Sequence, residues 1–157
     1  MNEEQALIKK FYTCFGKLDW RGMIACYKED IFFYDPVFEN LEGGQVRGMW
    51  EMLLGNAKDL HIEYSDIVFS DGYGSCNWVA TYTFSATGRR VVNKVKAHFK
   101  FADGKIAEHQ DVFNLWKWSA QALGFAGLLF GWSPPLQHKI RKMAKNNLGK
   151  FLRSRKP

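Results

Sequence analysis

Between residues 61 and 116 the side chains change character with almost every step. HIEYSDIVF, SCNWVATYTFSA, RVVNKVKAHFKF and KIAEHQDVFNLW alternate with a period of two, and the links SDGYG, ATGR and ADG are rich in Gly and Asp. Four such runs on short links predict an antiparallel meander. In the third run Val95, Ala97, Phe99 and Phe101 share one face, while Lys94, Lys96, His98 and Lys100 share the other. One face is therefore dry and the other wet. Whatever covers the dry face must come from elsewhere in the chain.

The N-terminal third supplies the cover. Leu7, Phe11, Cys14, Phe15 and Leu18 recur at helical spacing behind Asn2 and Gln5, a capping pair, which predicts a helix over 3–16. Asp19 can cap a second helix carrying Met23, Ile24 and Tyr27, which should stop near Glu29. DIFFYDPVFEN, residues 30–40, reads as an opening strand, and a shorter helix is expected over 49–57, after Gly43 and Gly44. Three helices against a strongly bent, mainly antiparallel sheet give the α+β class. With 157 residues, 46% of them hydrophobic, the chain fits a single domain, 1–157, that buries roughly 70% of its unfolded surface. Its charge is uneven: residues 117–157 hold nine of the 22 basic residues and none of the 16 acids. The reading is a core over 1–116 and a basic helical extension over 117–157.

Several function classes fall away. MNEEQALIKKFY has two acids and no apolar core, so no leader is expected. No apolar run reaches the roughly 20 residues of a membrane span. Cys14, Cys26 and Cys76 are odd in number and lack a Cys-x-x-Cys spacing, which suggests reduced thiols in a cytoplasmic protein. His61, His98, His109 and His138 show no paired-ligand spacing, so no metal is expected. GYGSCN leads into a strand, which makes it a hairpin turn rather than a dinucleotide fingerprint or a nucleophile elbow, and no cofactor is expected. The lysine row lacks interleaved exposed aromatics, which disfavours nucleic acid.

One residue breaks the pattern of burial. In an extended chain Ile31, Phe33 and Asp35 point the same way, which sets a carboxylate on the apolar side of the opening strand. Asp35 precedes Pro36, so an ordinary strand-ending turn is one account of it. Two N-terminal helices, YKEDIFFYDPVF leading into a short helix, and long strands ending in FADGKIAEHQDVFNLW together resemble the nuclear transport factor 2-like superfamily, close to the SnoaL-like polyketide cyclases and the ketosteroid isomerases. The resemblance spans about residues 3–116. It implies a cystatin-like cone, with N-terminal helices packed in the concave face of the curved sheet, a deep apolar pocket there, and frequent dimerisation through the convex face.

The resemblance also assigns roles. YDPV aligns with the segment that holds the general-base aspartate of ketosteroid isomerases, which gives that role to Asp35. Their oxyanion donors do not carry over, because Phe11 and Ala97 stand in those places. HQDVFN resembles the strand on which limonene epoxide hydrolases keep an acid/base aspartate, matching Asp111, but Trp78 and Ala80 replace the rest of that dyad. The surviving candidates are Asp35, His109 and Asp111; the last two are two apart on one strand and share a face, and their simply satisfying each other at the sheet edge is the other account of the pair. Phe11, Phe15, Tyr27, Phe33, Trp78, Tyr82, Phe99 and Phe113 are the expected lining of a pocket for a small hydrophobic ligand, and for Trp78, Tyr82, Phe99 and Phe113 plain core is the other account.

Two function classes stay open: a cofactor-independent isomerase, cyclase, lyase or hydrolase using acid/base carboxylates, and a non-catalytic ligand-binding or carrier module. Besides the ligand, one partner is expected and a second is the alternative reading of the tail. One is a second copy of the chain on the outer sheet face. The other is an anionic membrane surface met by residues 117–157, where LWKWSAQALGFAGLLFGWSPP precedes a basic amphipathic helix bearing Leu136, Ile140, Met143, Ala144, Asn147 and Phe151. The preferred reading of that tail is a lid over the pocket mouth or a packing element in the dimer, with the basic helix a solvated outer layer; the membrane contact is the alternative, with the protein cytoplasmic either way.

Overall fold

The computed structural model describes residues 1–155. Helix α1 (Glu3–Gly16) opens with the expected capping box: Gln5 N donates to Asn2 Oδ1 at 2.8 Å and Asn2 N to Gln5 Oε1 at 3.2 Å. Helix α2 (Trp20–Ile24) is capped by Asp19, whose carboxylate accepts from Gly22 N at 2.9 Å. It ends well before Glu29. Strand β1 (Tyr27–Asp35) starts at Tyr27 because the chain there is drawn into the sheet, with Ile106 N donating to Cys26 O at 2.9 Å. Met23 and Tyr27, four apart, looked like successive turns of one helix; tertiary pairing overrides that spacing.

After a turn at 36–38 the short strand β2 (Glu39–Glu42) folds back on β1, and helix α3 (Gly44–Gly55) follows. Helix α3 begins five residues earlier than expected. Gly43, at φ +52°, makes the turn into it and donates its N–H to Ile31 O at 2.8 Å. The poor helix propensity of glycine hid this start. Strands β3 (His61–Ser70), β4 (Tyr73–Phe84), β5 (Arg89–Ala102) and β6 (Lys105–Val112) form the meander.

The six strands make one sheet in the order β2-β1-β6-β5-β4-β3. Strands β1 and β6 run parallel and the other neighbours antiparallel. In β5, Val95, Ala97 and Phe99 are buried while Lys94 and Lys100 are exposed, so the dry face is the expected one. Helix α1 lies on it and buries Ile8, Phe11, Tyr12 and Phe15; α3 adds Met49, Trp50 and Leu54. The architecture is the α+β cone, with helices in the concavity of a curved, mainly antiparallel sheet.

Strand β6 stops at Val112, and Asn114 caps helix α4 (Leu115–Leu123) by accepting from Lys117 N at 3.0 Å. The chain turns helical slightly before Trp116. Helix α4 is fastened to the β4/β5 hairpin, where Val92 N donates to Gln121 Oε1 at 2.7 Å and Arg89 Nε to Gln121 O at 2.8 Å. Helix α5 (Phe125–Phe130) folds straight back on α4, and α6 (Pro134–Ser154) crosses to α3 and buries Leu148. The inward side of α6 carries Ile140, Ala144, Leu148 and Phe151, whereas Met143 and Asn147, expected on the apolar face, are exposed.

Candidate functional site

Alternation along β6 turns His109 and Asp111 to the same side, and the helices seal that side from water. His109 keeps 1% of its surface and Asp111 3%. His109 Nε2 lies 2.8 Å from Asp111 Oδ1. On the other edge of the imidazole, Nδ1 lies 2.7 Å from the Tyr27 hydroxyl, which accepts from Trp50 Nε1 at 3.0 Å. Trp78 Nε1 donates to Asp111 Oδ1 at 3.3 Å. One assignment satisfies the whole chain: Trp50 N–H to Tyr27, Tyr27 O–H to Nδ1 of a neutral His109, and His109 Nε2–H to Asp111. Every donor points toward Asp111.

The surroundings are aromatic. The Phe99, Phe33 and Phe11 ring centroids stand 4.6, 5.2 and 5.4 Å from that of His109, and Trp50 stacks on it at 6.5 Å. Burial holds the Tyr27 hydroxyl well above its ordinary pKa, against a smaller opposing effect of the Trp50 bond. It stays protonated and able to donate.

Asp35 sits at the end of this array. Parallel register pairs Phe33 with His109 and Tyr34 with Gln110 at the end of the β1/β6 ladder; Asp35 and Asp111 each follow by one residue, near enough for the charge of Asp111 to act on the Asp35 carboxyl. The Asp-Pro turn is real as well: Asp35 Oδ1 accepts from Val37 N at 2.9 Å and from Phe38 N at 2.6 Å. The residue keeps part of its surface exposed. Burial of its carboxyl nevertheless raises its pKa to about 6, opposed by the Phe38 N–H and reinforced by the nearby charge of Asp111. That value suits a group that exchanges protons near neutrality.

The three sequence candidates thus lie together. The pocket-lining set behaves differently. Phe11, Phe15, Tyr27, Phe33, Trp78 and Phe99 are buried against one another and fill the concavity rather than wall an open pocket. Tyr82 is covered by α4 and accepts from Trp118 Nε1 at 2.8 Å, and Phe113 packs at the margin of the core. A cleft of about 250 Å³ lies instead on the outer sheet face, among Phe32, Tyr34, His98, Lys100, Glu108 and Gln110.

Sequence reasoning missed Trp50 and Tyr12, and it gave Tyr27 and Trp78 only lining roles. A buried tryptophan N–H needs an acceptor, but which acceptor depends on how α3 lies over the sheet. Tyr12 is also buried, and its hydroxyl has no protein partner among the described residues.

A family model described as SnoaL-like domain matches residues 8–109. Among solved structures, a candidate polyketide cyclase from Pseudomonas putida superposes with a TM-score of 0.65 at 20% identity, over 78% of this chain and 98% of the other. AclR, a candidate hydroxylase from Streptomyces galilaeus, gives 0.61 at 22% identity, over 88% and 96%. A protein with a ketosteroid isomerase-like fold from Catenulispora acidiphila, solved with trimethylamine, gives 0.66 at 11% identity, over 74% and 91%. At these identities the structural likeness carries the fold and nothing finer. No curated protein sequence matches the chain.

Proposed function

The chain belongs to the SnoaL-like domain family, within the nuclear transport factor 2-like cone fold, and we propose that it moves protons on a small apolar molecule without a cofactor. Asp35 is the catalytic base in this reading. As a carboxylate it takes a proton from a carbon next to an activating carbonyl, and as the acid it returns that proton at a second position. Asp111, His109, Tyr27 and Trp50 are positioning residues. Their bonds fix the Asp111 carboxylate beside Asp35, where its charge favours the protonated form of Asp35. The substrate meets Asp35 at the strand end, where the residue is partly exposed.

The observation that supports this most is the unbroken hydrogen-bonded line from Trp50 to Asp111, ending next to Asp35. A core built only for stability gains little from a buried imidazole and carboxylate, because apolar residues of the same volume are often at least as stable. A second reading, ligand binding without chemistry, rests on a different observation. Phe11 and Ala97 offer no donor to an enolate, and aromatic rings fill the interior.

Deuterium exchange separates the two. Small ketones and β-dicarbonyl compounds incubated with the protein in D2O should exchange at the α-carbon, followed by NMR, and Asp35→Asn should abolish the exchange while leaving the fold intact. Absence of protein-dependent exchange across pH 5–8, with a ligand of this class still bound, would favour the binding module.

A further inference from the structure

Helix α5 presents its bulk to solvent. Phe125 is 74% exposed, Trp132 58% and Phe130 55%, and Leu128, Leu129 and Trp116 add to the same segment. The cause is the close crossing of α4 and α5. A Cβ on Gly127 would lie 1.9 Å from Ser119 O, and one on Gly131 would lie 2.4 Å from Gly127 O. Glycines therefore occupy the contact and the large side chains of α5 can only point away. The flanking indoles are held by the backbone: Trp116 Nε1 donates to Leu128 O at 2.9 Å and Trp132 Nε1 to Leu129 O at 2.8 Å. The arrangement is fixed, not frayed.

Helix α6, four residues on, divides its cations by side. Arg141 Nε donates to Pro36 O at 2.8 Å, and Lys145 and Arg155 pair with Glu39 and Glu51, so these three face the body of the protein. Lys139, Lys142, Lys150 and Arg153 are exposed and, at helical spacing, fall on the opposite side. With no acid anywhere in 117–157, this side is a cationic stripe.

We propose that α4–α6 dock the protein on an anionic bilayer, with the apolar side chains of α5 entering the headgroup region and the outer cations of α6 meeting lipid phosphates. Charge selects this occupant. Two copies of the extension would set cations against cations, whereas an anionic surface satisfies the stripe and admits the apolar projection without needing a shaped groove. Tryptophans at both ends of the segment suit the interface, having an apolar body and a polar tip. No helix among the described residues is long and apolar enough to cross a membrane, so the contact is peripheral. The Arg141 bond to Pro36 ties the docked helix to the residue after Asp35.

Flotation of the full chain with phosphatidylcholine vesicles, with and without about 30% phosphatidylglycerol, tests this apart from any activity. The protein should float with the anionic vesicles only, and binding should fall about tenfold or more on raising salt from 50 to 500 mM. Lys139→Glu with Lys142→Glu and Lys150→Glu should abolish flotation, as should Phe125→Ser with Leu128→Ser and Phe130→Ser, both sets keeping the wild-type circular dichroism and melting temperature. Absence of flotation at low salt, equal binding to neutral vesicles, or a dimer by light scattering that the serine variant dissociates would overturn the proposal.

Discussion

The interior of the cone and the C-terminal extension break the rule of burial in opposite directions. The interior buries a carboxylate and an imidazole among aromatic rings; the extension leaves large apolar side chains in water. Within the core the anomaly is offset locally, because Tyr27 bonds His109 and Trp78 bonds Asp111, replacing what the pair loses to dehydration, while Trp50 donates in turn to the Tyr27 hydroxyl. On α5, Phe125 and Phe130 keep most of their surface in water. The balanced anomaly supports the proposed proton transfer, and the unbalanced one the proposed docking.

The largest test of that contrast removes the balance inside. Asp111→Ala takes the acceptor from His109 and Trp78 together, leaves two buried N–H donors unpaired, and should lower the unfolding free energy by about 2–6 kcal/mol, read from urea melts. His109→Leu alone should also destabilise, because it strands Asp111. The double variant His109→Leu with Asp111→Ala should cost less than the sum of the two, by about 1–3 kcal/mol. Strict additivity would mean that the pair does not act as a unit and would remove the argument built on it.

Asp35 gives a smaller effect with a definite direction. Its folded pKa is about 6 against a reference of 3.8, so the folded state holds the proton more tightly than the unfolded chain. The stability from this group is fully present below about pH 4, declines as pH rises, and is gone above about pH 6. A rise of about two units corresponds to about 3 kcal/mol between those limits. Urea melts of wild type and Asp35→Asn over pH 4–7 report the group together with its coupling to Asp111, since the remaining carboxyls cancel in the difference. A difference that stays flat with pH would place Asp35 in solvent and remove its fitness as a base.

How much of this could be read from the sequence follows from which features are local. The period of two put His109 and Asp111 on one face, and the same alternation put Asp35 on the apolar side of β1, because side-chain direction in a strand needs no partner. The adjacency of Asp35 and Asp111 did need one. It comes from the parallel pairing of β1 with β6, across more than 70 residues, which no local pattern encodes. Trp50 escaped for the same reason, as its role depends on how α3 crosses the sheet. The filled interior was one of two open readings, because the aromatics that line a pocket and those that close it are the same residue types at the same spacing. In the extension, the absence of acids was legible at once, but the outward turn of α5 was not, since it rests on glycines pressed against α4.

The smallest effect probes the extension, by comparing its two sides. Leu148 is buried where α6 crosses α3, and the closeness of that contact is clear from Gly48, where an added Cβ would lie 2.4 Å from Leu152 Cδ2. Leu148→Ala should therefore cost about 2–4 kcal/mol, as a cavity in a packed contact does. Phe125→Ser and Leu128→Ser, made together, remove far more apolar surface yet should change the melting free energy by about 0.5 kcal/mol or less, because that surface is already in water in the folded state. A loss above about 1.5 kcal/mol for the serine pair would show that α5 packs against the body of the protein after all. Near-neutrality in dilute buffer would instead leave those side chains without a folding role, as the proposed docking requires.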